Sequence, residues 1–140
     1  MEGQLLVEQA LRLQRPGPYQ LQSAIAALHA QAERAEETDW RQIAALYERL
    51  LAIQSSTVLA LNHAVAVAMG EDLEKGLALI NQLGESGTLD SYYLHHAARA
   101  DLLRRLGRLT EAAEAYKRAL ALTANAVERR YLRRRLTAIE

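Results

Sequence analysis

The sequence predicts an all-α protein, with about eight helices arranged as antiparallel pairs. Three observations point there. Apolar residues recur every three or four positions through nearly every segment, and no stretch alternates apolar and polar residues long enough for a strand. The 7 glycines and 2 prolines fall in a few breaks. Half of the residues are apolar, yet aromatics make up only 5% and phenylalanine is absent. The core is therefore built from Leu, Ala, Ile and Val, which suit closely packed helices, and Ala and Leu have the best helix propensities.

The first stripe, Leu5, Leu6, Ala10 and Leu13, predicts a leading helix over 2–14. Arg15-Pro16-Gly17-Pro18 ends it, because proline disfavours helical geometry in the residue before it. Pro18 then starts a second helix, where a missing N–H costs nothing. That helix runs to about Arg34, with Leu21, Ile25, Leu28 and Ala32 inward. Thr38 or Asp39 caps a third helix, with Gln42 three residues after Asp39. Ile43, Leu46, Tyr47, Leu50 and Ile53 form its apolar face. Ser55-Ser56-Thr57 is a break and a cap, and Val58, Leu61, Val65 and Ala68 carry a fourth helix to Gly70. Asp72 opens a fifth through Leu73, Leu77, Ile80 and Leu83, and Gly84 to Thr88 is a loop. A sixth runs from about Leu89 to Leu106 and stops at Gly107. A seventh carries Ala112, Tyr116, Ala119 and Leu120. Asn125 with Glu128 forms a capping box for a last helix, 125–139, through Tyr131, Leu132, Leu136 and Ile139. Connectors this short imply antiparallel neighbours, and 140 residues suffice for one compact domain.

Basic and acidic residues number 17 each, so the chain lacks the basic excess of a general nucleic-acid binder. Absence of cysteine excludes disulfides, thiolate metal sites and a cysteine nucleophile. No apolar run reaches the roughly 18 residues of a membrane span. MEGQLLVEQA lacks the basic start and apolar core of a secretory signal. These features predict a soluble, cytoplasmic protein away from membranes.

Residues of known chemistry are present, but not in catalytic patterns. His29, His63, His95 and His96 show no His-x-x-x-His or Glu-x-x-His spacing, and adjacent helical residues point about 100° apart. They read as ordinary surface or half-buried histidines. Ser55 and Ser56 lack a Gly-x-Ser-x-Gly setting and read as capping residues. Glu36-Glu37 and Glu71-Asp72 lie at helix junctions, where negative charge suits the following N-terminus. No catalytic residue, metal site or cofactor is expected. Arg129, Arg130, Arg133, Arg134 and Arg135 crowd the last helix, either as a solvated face or as a contact to an acidic partner or DNA phosphate. Arg99, Asp101, Arg104 and Arg105 lie on the sixth helix.

Three stretches align: WRQIAALYERLLAI from Trp40, LEKGLALINQLGES from Leu73 and LTEAAEAYKRALAL from Leu109, with starts 33 and 36 residues apart. Trp40, Leu73 and Leu109 correspond, as do Ile43, Gly76 and Ala112, and then Tyr47, Ile80 and Tyr116. Ala64 and Ala100 stand nine residues before Leu73 and Leu109, where helices pass closely. This resembles the tetratricopeptide repeat (TPR), a helix-turn-helix unit of about 34 residues. GRLTEAAEAYKRALAL is the best match, and Asn62 falls where that repeat commonly has asparagine. Ala replaces the usual Gly at 64 and 100, and the closing proline is Ser55, Thr88 or Ala124, so the units are degenerate. The resemblance implies a right-handed superhelical array over about 18–122, with the leading helix and 125–139 as caps. Periodicity alone leaves a generic helical bundle open.

RPGPYQLQSAIAALHA, TDWRQIAALYERL, VLALNHAVAVAMG and DLLRRLGRLTEAAEAYKRALALTANAVERRYL, in that order, resemble the C-terminal region of one group of bacterial sigma factors. These are extracytoplasmic-function (ECF) factors with a TPR-like extension behind their promoter-binding domains. GPYQLQ and ALNHAVAVA are the most specific parts. The resemblance implies the C-terminal domain of a longer protein, whose promoter-binding helices lie outside these residues. It implies a regulatory protein-interaction domain that contacts RNA polymerase, the sigma core or a regulatory protein, with DNA reached only through the missing N-terminal domains. Tyr19, Gln20 and Gln22 mark the family-like segment. They join Asn62, Arg99, Asp101, Arg104, Arg105, Arg129, Arg130, Arg133 and Arg134 as candidate partner contacts. A free-standing TPR-like adaptor and a small-molecule sensor with a pocket between repeats are the alternatives.

Overall fold

The computed structural model describes residues 17–31 and 38–140. The predicted leading helix, Arg15-Pro16, and the stretch from Ala32 through Glu36-Glu37 lie outside the described residues. The described residues are all helical, with seven helices and no strand: α1 Pro18–Gln31, α2 Trp40–Ile53, α3 Thr57–Gly70, α4 Leu73–Gly84, α5 Tyr93–Arg105, α6 Leu109–Leu122 and α7 Ala126–Ile139. They fall into two compact units that divide between Glu71 and Asp72.

In the first unit, α1 packs on α2 and α2 on α3. Leu21, Ala24, Ile25 and Leu28 of α1 meet a core of Ile43, Ala44, Leu46 and Leu50 from α2 and Leu61, Ala64, Ala66, Val67 and Ala68 from α3. Asp39 caps α2 by accepting from the Gln42 N–H at 3.2 Å, and Ser56 caps α3 by accepting from the Leu59 N–H at 3.3 Å. The end of α3 lies against the start of α2. A Cβ on Gly70 would stand 2.7 Å from the Arg41 backbone nitrogen, and Arg41 Nε donates to the Gly70 carbonyl at 3.0 Å. The two helices are therefore antiparallel, and only glycine permits the approach. Ile53, expected inward, is 49% exposed, because the helix ends there and the core lies behind Leu50.

In the second unit, α4 packs on α5, α5 on α6 and α6 on α7. Its core holds Leu77, Ile80, Ala97, Ala100, Leu102, Leu103, Ala112, Ala115, Tyr116, Ala119 and Leu132. Asp72 caps α4 by accepting from the Glu74 N–H at 2.9 Å. Gly107 ends α5 at φ 80°; its N–H donates to Arg104 O at 3.0 Å and the Arg108 N–H to Leu103 O at 2.9 Å. This pair of bonds satisfies carbonyls that the helix leaves open and needs the left-handed conformation that glycine supplies. The expected start of this helix near Leu89 is displaced to Tyr93. Leu89 is buried as an anchor of turns rather than as a helical residue, with Asp90 N–H to Gly87 O at 3.2 Å and Tyr92 N–H to Leu89 O at 3.0 Å.

The predicted box at Asn125 forms with a relay. Asn125 Oδ1 accepts from the Glu128 N–H at 3.0 Å. The Glu128 carboxylate does not reach back directly but accepts from Thr123 Oγ1 at 2.5 Å, and that oxygen accepts from the Asn125 N–H at 3.3 Å.

Candidate interaction surfaces

The residues suggested by the sequence separate into those spent inside the protein and those left to solvent. Asp101 and Arg104 belong largely to the first group. The Asp101 carboxylate accepts a short hydrogen bond from the Tyr116 hydroxyl and a second from the Tyr131 hydroxyl at 3.0 Å. Arg104 Nε donates to the Tyr116 oxygen at 3.1 Å. One carboxylate thus ties α5 to both α6 and α7. Burial and the Asp101 charge push the Tyr116 phenol well above its ordinary range, so it stays a donor. Arg99 is held by Asn81 Oδ1 at 2.8 Å and lies 3.9 Å from Glu111.

Arg129 is also internal. Its guanidinium donates to Leu120 O and, at 2.9 Å, to Thr123 O, placing a cation on the open carbonyls at the C-terminal end of α6. Arg135 stacks 5.5 Å from the Tyr131 ring, whose hydrogen bond raises its already high pKa. Arg130, Arg133 and Arg134 are exposed, with no partner among the described residues, as is Arg105. In the first unit, Tyr19 is 79% exposed, and Gln20 and Gln22 lie outward beside it on α1. Asn62 bonds the half-buried Tyr47, whose phenol is raised by burial and partly restored by that bond.

Sequence reasoning missed the histidine pair. His95 and His96, read from the sequence as surface or half-buried, are both buried, 5% and 6% exposed. His95 Nε2 donates to Ile80 O at 3.2 Å, covering a carbonyl in the last turn of α4, and its ring lies over Gly84. His96 Nε2 donates to Asp90 O at 2.8 Å, and the two rings meet edge to face 5.1 Å apart. His95 Nδ1 is buried with no hydrogen-bond partner. Burial pulls the His95 pKa below its ordinary value, with His96 and Arg99 adding to the effect and the bond to Ile80 opposing it. The histidines border a cleft of about 380 Å³, together with Asn81, Glu85, Arg99, Glu114 and Arg118. The signal available in the sequence was for His96 alone, one turn before Ala100 on the same face, since His95 points about 100° away from His96.

Among the described residues no group of His, Asp or Glu is arranged to hold a metal ion, and no helix is long and apolar enough to cross a membrane. No family model matches the chain, and no solved structure matches it. An uncharacterized protein of Rhizobium meliloti (strain 1021) is 49% identical over 135 residues, which cover 96% of this chain and 31% of that relative. The chain thus spans about a third of the relative's length.

Proposed function

We propose that the chain is a regulatory protein-interaction domain of an ECF-type RNA polymerase sigma factor, built as a TPR-like array. The observation that carries the array reading is the ion pair between Glu74 and Arg108, 2.6 Å apart in space and 34 positions apart in sequence. Glu74 lies in the first turn of α4 and Arg108 is the N-cap of α6. Corresponding ends of equivalent helices thus meet at the spacing of one repeat, as stacked hairpins require. The predicted helix at 2–14 would be the eighth helix of the array.

The sigma-factor context is supported by the ordered resemblance of four segments. In this reading a helix face binds polymerase, the sigma core or a regulator and changes how the promoter-binding domains are presented. Binding alone suffices and no covalent step is required; the setting is the cytoplasm, where polymerase works. Capture experiments with the immobilised chain against purified polymerase and a sigma core are expected to retain at least one of them. Retention of neither would remove polymerase and the sigma core as its partners.

A small-molecule sensor is a second reading, favoured by the cleft beside His95 and His96. Its volume falls in the range of ligand pockets. A thermal-shift screen with cellular metabolites tests it, since a ligand that binds the folded state raises the melting temperature.

A further inference from the structure

The five arginines of the last helix divide by role. Arg129 is committed to the carbonyls ending α6, and Arg135 to the Tyr131 ring. Arg130, Arg133 and Arg134 remain exposed, with no acidic partner among the described residues. Leu132 alone on this helix is fully buried, which fixes the orientation of α7. At 100° per residue, Arg130 and Arg134 lie opposite Leu132, with Val127 along the same side and Tyr131 at its edge. Val127 is 71% exposed and Tyr131 37%. Two apolar surfaces therefore adjoin three unpaired guanidinium groups on one stable helix. The charge is local: from Asp72 onward the chain carries 12 basic and 9 acidic side chains, although the whole is neutral.

We propose that this face of α7 is the docking surface for an acidic amphipathic segment of a partner protein. Arg130, Arg133 and Arg134 pair with its carboxylates, and Val127 and the Tyr131 ring receive its apolar residues. The inference rests on the protein-interaction reading above and adds the face and the chemistry of the partner. Charge complementarity specifies an anionic partner. Apolar surface beside the arginines favours a peptide over nucleic acid, because a phosphate backbone offers nothing to cover Val127. The basic run is also short, about 6 Å from Arg130 to Arg134 along the helix axis. Duplex binding usually neutralises a longer track of phosphates.

Fluorescence anisotropy with the full chain tests this, using three labelled probes. One is a synthetic helical peptide with Glu and Asp flanking a Leu stripe, another is the same composition scrambled, and the last is a DNA duplex. The patterned peptide is expected to bind best and to weaken as salt rises. The double variant R130E/R134E is expected to weaken binding about tenfold, since attraction becomes repulsion at both positions. Val127→Asp should also weaken it, whereas Arg105→Glu, on α5, should not. Circular dichroism melts of the variants should match the parent, because none of these side chains is buried. Parental affinity in R130E/R134E, tighter binding of the duplex, or no binding of the patterned peptide by the parent would each overturn the inference. If the parent captures polymerase or sigma core and R130E/R134E captures it equally, this face is refuted while the domain reading stands. Binding of the peptide with capture of neither supports the face and removes polymerase and the sigma core as the partners.

Discussion

A neutral imidazole enclosed at a helix end makes acid a hazard for the second unit. His95 is held below its ordinary pKa when folded, whereas in the unfolded chain it titrates near the ordinary histidine value of 6.5. Above that value both states are neutral and the contribution to stability is complete. As pH falls through it, the unfolded chain takes up a proton that the folded one resists, so stability declines until the lowered folded pKa is passed. His96, Arg99 and Asp90 face the ring; His96 and Arg99 oppose its protonation, while Asp90 and the bond to Ile80 favour it. Thermal melts from pH 7.5 to 5 should show this decline, and His95→Gln should flatten it. An equal slope in the variant would place the acid sensitivity elsewhere. Tyr116 invites a second test. Tyr116→Phe removes a donor to the Asp101 carboxylate and should lower stability by about 2 kcal/mol in urea unfolding. Neither residue's role was legible in the sequence, since each depends on a partner 15 positions away. Asp101 and Arg104, read there as candidate partner contacts, hydrogen-bond Tyr116, and Asp101 also Tyr131.

At the scale of helices, local chemistry carried far. Asp72 and Asn125 cap as expected, and Asp39 and Ser56 cap within the alternatives the sequence left open, because a cap is decided within three residues. Gly107 likewise ends α5 as expected. The start of α5 was misplaced because apolar periodicity cannot distinguish a leucine buried by a turn from one buried by a helix. Close packing between helices left a fainter mark. Gly70 reads as a helix terminator, but its larger role is to admit the backbone at Trp40 and Arg41. Gly70→Ala should cost about 1–3 kcal/mol, because the new methyl meets backbone rather than a side chain that can swing away. A melting temperature unchanged from the parent would show that α3 shifts freely.

At the scale of the molecule, repeat spacing anticipated paired helices, although the helices of the middle repeat, α3 and α4, fall in different compact units. The second unit has its own core, from Leu77 to Leu132, and its own lateral tie between Glu74 and Arg108. A polypeptide starting at Asp72 should therefore keep its helicity and melt cooperatively, as measured by circular dichroism. A broad, featureless melt would show that the core needs the preceding residues.

Arg129 gives the final helix a further significance. By occupying the last carbonyls of α6 it acts as a stopper, while Leu132 seals the apolar seam beneath. Proteolysis before Asn125 would strip both at once, uncovering greasy surface and thirsty carbonyls on the same rim. Such a clipped product would be prone to self-association, so a nick at this one connector would turn a well-behaved protein into a sticky one.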